Sequence, residues 1–302
     1  MASSSLCYYI SITKTDLKKK TKLITTGLLI IVLLSGLIYA LWKYYAPKET
    51  SLFLLPNLQS ASVIEQSFQN LPEEKHTEGA VKIPIFIYHS VKPYSADQSK
   101  IQKAYEITPE LLEKQLLYLQ NKGYTAISLD ELTDDLQNAG VGKAAKPVIL
   151  TFDDGWHNQY GYAFPLLKKY RMTATFYIYT NPIGKEHFLT WDEIKEMDKA
   201  GMTIAGHTFS HPYFKTISLA QIRKELTDSK KIIEEHLGKP VLHFASPYGY
   251  TNTDIIAIIK EAGYKTARTT YRGIYHTKDD LLRLSGILVS DNFDDFVKEL
   301  KG

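Results

Sequence analysis

Two groups of residues in this 302-residue chain have the types and the spacing that metal-assisted chemistry requires. The first is the adjacent pair Asp153 and Asp154, which follows the apolar run Pro-Val-Ile-Leu-Thr-Phe at 147–152 and precedes Gly155. Two carboxylates at the end of a buried strand repel each other, so they need a cation or a proton nearby. A solvated turn or the start of a helix, where aspartate is common, is the alternative, and the pair alone does not decide between these interpretations.

The second group is His207 and His211, which are four positions apart. One turn of helix-like backbone would direct both imidazoles to the same side, as in other zinc-binding histidine pairs. With one aspartate they would make three ligands, the number that a catalytic zinc site uses while it leaves one position open to water. The second aspartate would then be free to act as a base. Two surface histidines beside a turn at Pro212 are the alternative interpretation.

The elements that would position these residues alternate between strand and helix from residue 83 onward. This alternation is typical of a parallel sheet with crossover helices. Apolar runs predict strands at 83–88, 125–129, 147–152, 173–179, 202–205, 241–245, 265–269 and 281–289. Helix start signals occur at Thr108-Pro109 and at the capping boxes Thr190-x-x-Glu193 and Ser218-x-x-Gln221.

This pattern predicts an α/β fold, a distorted (β/α) barrel of the TIM type that is either complete or lacks some of its units. A doubly wound open sheet is the alternative. The positions of the candidate catalytic residues favour the barrel. His89, the aspartate pair 153–154, the histidine pair of 207–211 and the segment 246–249 each follow the carboxyl end of a separate predicted strand. In barrels that rim is where catalytic groups gather.

The amino-terminal part of the chain differs from the rest in composition. Five lysines between positions 14 and 22 precede an uncharged stretch, 23–42, long enough to cross a hydrocarbon core of about 30 Å as a helix. Lysines before such a span keep the amino terminus in the cytoplasm, which would put the remainder outside the cell. A cleavable signal peptide is the alternative. We therefore predict a basic cytoplasmic tail, a single transmembrane anchor, a stalk and an extracellular catalytic domain, at 1–22, 23–42, 43–80 and 81–302.

Composition excludes some partners and some kinds of fold. The formal net charge is only +3 and much of the basic excess lies in the predicted tail, so nothing indicates a nucleic-acid partner. The single cysteine, Cys7, also lies in that tail, so the exported part has no thiol and no disulfide framework. The stability of the exported domain must therefore come from packing.

Three motifs, in this order, resemble those of the polysaccharide deacetylases of carbohydrate esterase family four: Thr-Phe-Asp-Asp-Gly at 151–155, His-Thr-x-x-His at 207–211 and Ser-Pro-Tyr-Gly at 246–249. Each motif is short, but the ordered set is specific, and the resemblance extends from residue 83 to the end. The segment Ile87-Tyr88-His89 is similar to one branch, the surface-attached poly-N-acetylglucosamine deacetylases. In that branch the barrel is circularly permuted, and its first strand supplies a histidine.

The resemblance implies a role for most of these residues. Asp153 would be the general base and His89 the general acid. One divalent metal ion, with zinc expected, would be held by Asp154, His207 and His211. The implied reaction removes N-acetyl groups from N-acetylglucosamine units of a cell-envelope polysaccharide, which could be poly-N-acetylglucosamine, peptidoglycan or another wall glycopolymer.

The third motif departs from the family at one position. The broader family carries an arginine two residues before the proline of this motif, where it orients the base, and this chain has Ala245 there. Arg283 is our first candidate for a replacement, because a strand at 281–285 could reach the same rim. Arg268 and Arg272 are the other candidates, and an ordinary surface position is the alternative for each of the three.

Aromatic residues near the predicted rim are candidates for stacking on sugar rings. They are Trp156, Trp191, Tyr213 and Tyr250, although the chain contains 21 tyrosines and simple packing is the alternative for each. The family resemblance also implies that the backbone N–H of Tyr248 stabilises the oxyanion that forms when an acetamide is attacked.

Other functions are compatible with parts of this pattern. The same chemistry would hydrolyse O-acetyl esters of a polysaccharide. The barrel could also be a non-catalytic sugar-binding domain on a membrane stalk, although the chain keeps every ligand that the motifs require. Two histidines and a carboxylate also form the facial triad of non-haem iron oxygenases, but those sites belong to an all-β framework and need no aspartate pair.

Overall fold

The computed structural model describes residues 79–95, 99–137 and 144–301, all within one compact unit, 68–302. The predicted cytoplasmic tail, the predicted membrane segment at 23–42 and residues 43–78 of the predicted stalk lie outside the described residues. Among the residues that are described, no helix combines the length and the apolar character that a membrane crossing needs.

The strands and helices alternate as expected for an α/β protein. In chain order the strands are β1 (Val81–Lys82), β2 (Ile85–Tyr88), β3 (Ser90–Val91), β4 (Glu106–Ile107), β5 (Thr125–Ala126), β6 (Pro147–Asp154), β7 (Thr175–Ile178), β8 (Thr203–Gly206), β9 (His243–Ala245), β10 (Thr266–Arg268), β11 (Tyr275–His276) and β12 (Ile287–Leu288). The α-helices are α1 (Lys100–Tyr105), α2 (Pro109–Asn121), α3 (Leu129–Gln137), α4 (Phe164–Tyr170), α5 (Trp191–Lys199), α6 (Leu219–Leu237), α7 (Thr253–Glu261) and α8 (Phe293–Lys301).

The central sheet has the strand order β10-β9-β8-β7-β6-β2-β12, and every neighbouring pair is parallel. The first long strand, β2, therefore lies between the aspartate strand β6 and the last strand, β12. Short strand β5 also pairs with the beginning of β6. The fold is a parallel-stranded α/β half-barrel, which confirms the predicted class in its coarse form.

The two edges of this sheet approach each other through the segment before β12. Leu284 donates a backbone hydrogen bond of 2.8 Å to Ala267, and its carbonyl accepts one of 2.9 Å from Thr269. The long strand predicted at 281–289 is not observed: residues 281–283 form a turn, Leu284 makes a single bridge to Arg268, and only Ile287–Leu288 pairs with β2. The half-barrel is consequently curved enough to bring side chains of β10 towards β6.

Alternation along the strands sorts side chains into two layers. In β6, Val148, Leu150 and Phe152 pack in the larger hydrophobic cluster, together with buried residues of the helices. Ile149 belongs to a second cluster, which also contains Tyr177 of β7 and lines the inner face of the sheet. Because successive strand residues face opposite sides, Thr151 and Asp153 share the inner face with Ile149.

Side chains cap the helices largely as the sequence predicts. The Thr108 hydroxyl accepts a hydrogen bond from Leu111 at the start of α2, where Pro109 is the first helical residue. Helices α5 and α6 both begin with complete capping boxes, and α6 ends at Gly238 with φ 68°. At the start of α3, the Ser128 hydroxyl accepts a 3.1 Å hydrogen bond from the backbone N–H of Glu131.

The last histidine of the chain, His276, is buried. Its Nε2 donates a 3.0 Å hydrogen bond to the backbone carbonyl of Ile83, which ties β11 to the residues just before β2. Burial, the largest effect, lowers the pKa of His276 to about 4. The imidazole is therefore neutral in the folded protein at neutral pH.

We predict that His276 makes folding acid-sensitive. Unfolded histidine has a pKa of about 6.5, so the unfolded chain binds the proton more tightly and stability falls as the pH drops from about 6.5 towards 4. The group contributes up to about 3 kcal/mol to this loss. Urea unfolding of the full chain should show a shallower pH dependence in His276→Gln than in the wild type. An equally steep dependence in both proteins would contradict the assignment.

Candidate active site

The two adjacent aspartates at the end of β6 point to different partners. Asp153 lies on the inner face of the sheet, where only 3% of its surface is exposed to solvent. Asp154 has a left-handed backbone, with φ 77°, and Gly155 follows with φ 74°. Left-handed backbone at an aspartate is uncommon, and here it turns the second carboxylate away from the first. The pair is therefore split between two sets of neighbours.

Asp154 lies beside both histidines of the second motif. Its Oδ1 is 3.6 Å from Nε2 of His207 and 3.4 Å from Nε2 of His211. The two Nε2 atoms are 3.1 Å apart. Ligands about 2.0–2.1 Å from a tetrahedral zinc ion are themselves about 3.3 Å apart, so these three atoms have the spacing of a tetrahedral metal site.

The protonation state of the histidines suits metal binding. Nδ1 of His207 is 2.7 Å from the carbonyl oxygen of Ala245. A carbonyl can only accept, so Nδ1 carries the hydrogen and Nε2 presents its lone pair to the site. Burial, more than any other effect, lowers the pKa of His207 and of His211 to about 4. Both imidazoles are therefore neutral at pH 7, and the donor set of two imidazoles and one carboxylate fits a divalent ion.

Glu225 of α6 holds the loop that carries these histidines. Its Oε2 accepts hydrogen bonds from the backbone N–H groups of Phe209 and Ser210, at 2.9 and 2.8 Å. Its Oε1 accepts a 2.7 Å hydrogen bond from the Ser210 hydroxyl. Within the loop, the Thr208 hydroxyl accepts from the backbone of His211 at 3.0 Å. The loop between the two histidines is thus held by Glu225 from α6 and by a bond within the loop itself.

Asp153 is held by Arg268, which was a runner-up candidate. The buried Arg268 guanidinium donates to Oδ2 of Asp153 and, at 3.1 Å, to the carbonyl of Thr269. It also lies 5.0 Å from the ring centre of Tyr177. Burial raises the pKa of Asp153, but Arg268 and the neighbouring histidines outweigh it, so the pKa lies below its usual range. The carboxylate is ionised at neutral pH.

The expectation for Arg283 was wrong. Arg283 ends in an exposed ion pair with Asp280, 2.9 Å away, because the residues around it form a turn and not a strand. Arg272 pairs with Glu299 of α8. Strand register explains the choice of Arg268, since it lies directly beside Ala245 in the pairing of β10 with β9. The arginine expected at position 245 is replaced by one from the adjacent strand.

His89 approaches Asp153 from the other side. It follows β2 directly, and its Nε2 is 3.9 Å from Oδ2 of Asp153. Gln159, in a π-helical turn at Gln159–Ala163, donates to the backbone carbonyl of His89 at 2.8 Å and to that of Asp153. The ring of Tyr105 contacts the imidazole edge to face at 5.2 Å. One buried glutamine thus ties the ends of β2 and β6 together.

The aromatic candidates lie in different surroundings. Trp156 donates a 3.1 Å hydrogen bond to Oδ2 of Asp154 and stacks on Phe188, so it supports a proposed metal ligand. Trp191 stacks on His236 of α6 at 3.7 Å, and no contact described for it involves the metal-binding side chains. The predicted sugar-stacking roles of Trp156 and Trp191 remain untested by these contacts.

Tyr248 and its neighbours approach the histidines from the third motif. The ring of Tyr248 is 4.9 Å from that of His211, and its backbone has φ 57°. Gly249 follows with φ 70°, and a Cβ there would be 2.5 Å from the backbone nitrogen of Thr270, so only glycine fits. This geometry brings the Tyr248 backbone to the rim, while its oxyanion role stays a prediction.

Several residues of the site could not be recognised in the sequence. Gln159, Tyr177, Tyr179 and Glu225 belong to no motif that we used. Tyr179 contacts the His211 ring at 5.2 Å, and burial raises its pKa well above the usual range. Glu225 was recognisable only as a polar residue in a capped helix. Its role depends on a loop that precedes that helix.

The sequence of this chain is similar to those of known polysaccharide deacetylases. The sequence profile described as polysaccharide deacetylase matches residues 140–267. The chain is 30% identical over 218 residues to the polysaccharide deacetylase YxkH of Bacillus subtilis (strain 168). The aligned region covers 71% of this chain and 74% of that protein. It is 31% identical over 225 residues to the poly-beta-1,6-N-acetyl-D-glucosamine N-deacetylase of Staphylococcus aureus, covering 69% and 77%.

A solved structure also resembles the described fold. The Streptococcus pyogenes deacetylase PplD, solved in complex with acetate, superposes with a TM-score of 0.67 and 30% identity, covering 74% of this chain and 100% of that one. The chain belongs to the polysaccharide deacetylase family, carbohydrate esterase family four. It is by class a polysaccharide N-deacetylase, a hydrolase, and deacetylases of this family depend on a metal ion.

We predict that Glu225 controls metal affinity. Removing the carboxylate in Glu225→Ala frees two backbone N–H groups and loosens the loop, so the affinity for zinc should fall about 10- to 100-fold, the range typical of supporting residues. Competition with a chromophoric chelator measures it. Glu235→Ala, which removes an exposed carboxylate further along α6, is the matched control. Equal zinc affinity of Glu225→Ala and the control would refute the role.

Proposed function

We propose that this protein is a membrane-anchored extracellular deacetylase that removes N-acetyl groups from N-acetylglucosamine units of a cell-envelope polysaccharide. The observation that carries the proposal is that the two aspartates at the end of β6 have different partners. Asp153 pairs with Arg268, whereas Asp154 joins His207 and His211 in a group suited to a metal ion. Hydrolysis of an amide needs a base that deprotonates water and a group that polarises the carbonyl. Asp153 could serve as the base, and a metal ion held by Asp154 and the two histidines could polarise the carbonyl.

The relatives support the substrate class. The Staphylococcus aureus relative is by name an N-deacetylase of poly-beta-1,6-N-acetyl-D-glucosamine, and the Streptococcus pyogenes relative is a deacetylase solved with acetate. Acetate is the acid that amide hydrolysis releases. The uncharged stretch 23–42, preceded by lysines, supports an anchored enzyme with its catalytic domain outside. A substrate close to the membrane follows from that location.

The residues around Asp153 suit it to receive a proton. Arg268 keeps the carboxylate ionised at neutral pH and fixes one of its oxygens, and no described residue donates a hydrogen bond to the buried Oδ1. A carboxylate with a lowered pKa is a weak base, so the water that it deprotonates must itself be acidified. A divalent ion, which we take to be zinc, would be held by Asp154, His207 and His211 and would supply this acidity and polarise the acetamide carbonyl.

The remaining steps belong to His89 and Tyr248. Water adds to the acetamide carbon, and the backbone N–H of Tyr248 stabilises the negative charge on the carbonyl oxygen. The C–N bond then breaks, and His89 gives a proton to the departing amine. Its imidazole lies 3.9 Å from Asp153, so the acid and the base face the same space. Acetate leaves, and the sugar keeps a free amino group.

We predict metal-dependent release of acetate and of free amine from N-acetylglucosamine oligomers by the purified full chain. Chelation should abolish the release and zinc should restore it. Asp153→Asn should lower kcat by about 10²- to 10⁴-fold, the range of general base catalysis, yet bind zinc as well as the wild type. His207→Ala should lose the metal. Activity that survives complete removal of metal would sink the mechanism.

We predict that Arg268, and not Arg283, controls the acid limb of the pH profile. Without its guanidinium, burial dominates and the pKa of Asp153 rises, so the acid limb of kcat/KM against pH moves to higher pH in Arg268→Met. Arg268→Lys should shift it less, because it keeps a cation. Arg283→Met is the matched control and should leave the limb unchanged. A zinc titration of each variant checks that the metal site persists, and an unmoved limb in Arg268→Met would contradict the assignment.

A further inference from the structure

A surface of three tyrosines extends from the proposed metal site along the rim. We call Tyr213, Tyr248 and Tyr250 the tyrosine surface. Tyr248 contacts the ring of His211 at 4.9 Å, which makes it the end nearest the metal-binding side chains. Tyr213 follows it, with ring centres 5.5 Å apart, and Tyr250 is 6.0 Å from Tyr213. The surface therefore begins at the reacting centre and leads away from it.

The rings of the tyrosine surface are accessible and held in place. They meet edge to face, at interplanar angles of 79° and 65°, an arrangement that aromatic pairs prefer. Tyr248 is 37% exposed, and the other two are partly exposed. Thr216 donates to the backbone carbonyl of Tyr213 through its N–H and its hydroxyl, at 2.9 and 2.7 Å. Exposed, fixed aromatic faces are suited to stacking on the apolar faces of sugars.

A lysine, Lys215, lies over the far end of this surface. Lys215 belongs to the short turn Phe214–Thr216, which is anchored by the buried side chain of Phe214. The Nζ atom of Lys215 lies 4.6 Å from the ring centre of Tyr250 and 6.0 Å from that of Tyr213. The turn thus places a positive charge at a fixed end of the aromatic surface.

In the described part of the chain, the contacts of the Lys215 ammonium are with aromatic rings. Within 79–95, 99–137 and 144–301, no carboxylate oxygen lies within 4.0 Å of its Nζ atom. Some other lysines of this part of the chain do have such a partner, as Lys224 has Asp228 and Lys230 has Glu234. A cation on an aromatic face without a counter-ion is available to an anion that binds on the same face.

We propose that the tyrosine surface and Lys215 bind the sugar next to the one being deacetylated, and that Lys215 selects a neighbour that carries a negatively charged substituent, a carboxylate or a phosphate. The inference rests on the proposed function, because it assumes a polysaccharide substrate. It goes further by favouring an acidic glycopolymer over a neutral homopolymer of N-acetylglucosamine. Tyr248 would contact the reacting sugar, while Tyr213, Tyr250 and Lys215 contact its neighbour.

Matched pairs of substrates test the inference with the zinc-loaded full chain. The carboxylate pair is peptidoglycan glycan strands freed of their peptides, before and after reduction of the lactyl carboxylates to alcohols. The phosphate pair is phosphorylated N-acetylglucosamine oligomers, before and after phosphatase treatment. The measured quantity is the ratio of kcat/KM for the charged member to that for the neutral member. The pair with the higher ratio identifies the kind of anion.

We expect a ratio of about two to five for one pair in the wild type, because an exposed ion pair contributes modestly. Lys215→Gln should bring the ratio to one by raising KM for the charged member, while Lys215→Arg should retain the preference. Lys231→Gln removes an exposed lysine of α6 and is the matched control. The preference should also weaken as salt rises, because the charges are exposed to solvent.

The contribution of the tyrosine surface can be measured separately from that of Lys215. Tyr213→Ala should lower kcat/KM about two- to tenfold on the charged and the neutral members alike, because stacking does not depend on the charge of the substituent. A ratio of one in the wild type for both pairs, or an unchanged ratio in Lys215→Gln, would overturn the role of Lys215 while the proposed function stands. Failure of the wild type to release acetate from any of these glycans would overturn both.

Discussion

Like charges on neighbouring residues are the constraint on which the rest of this structure depends. Two unit charges about 4 Å apart repel each other by about 4 kcal/mol near a protein surface. The end of β6 carries two carboxylates in succession, and one of them is buried. Strand alternation and the left-handed backbone of Asp154 send them to opposite partners, an arginine for Asp153 and two histidines for Asp154. The charge of Asp153 is therefore compensated by an arginine, whereas Asp154 lies in a group of side chains that could bind a metal ion.

The arginine shows how sheet register can substitute for sequence position. Arg268 and Ala245 are directly paired in neighbouring strands, so a side chain from β10 reaches the space that an arginine at position 245 would occupy. A small residue at 245 leaves room for it. Gly286 lies close by, and a Cβ there would be only 2.7 Å from Cδ1 of Ile87. The buried Arg268 side chain therefore reaches Asp153 from the strand next to Ala245.

Local strain accompanies the site. Asp154, Thr208, His211 and Tyr248 all have positive φ although none is glycine, and such residues cost of order 1–3 kcal/mol each. Thr208 and His211 belong to the histidine loop, which Glu225 holds through the backbone of Phe209 and Ser210 and the hydroxyl of Ser210. Gln159 similarly holds the ends of β2 and β6. Side chains of α6 and of the π-helical turn thus connect the residues of the rim to the rest of the domain.

The sequence by itself determined the alternation of strands and helices and the starts of α2, α5 and α6, and it indicated the proposed metal ligands, because these depend on local periodicity, capping and short motifs. It did not determine which arginine contacts Asp153, since that depends on the register between strands that are far from β6 in sequence. For the same reason it could not reveal Glu225, Gln159 or the burial of His276, whose partners lie in other elements. Only the tertiary structure decided these, because it sets which side chains, distant along the chain, share the same space.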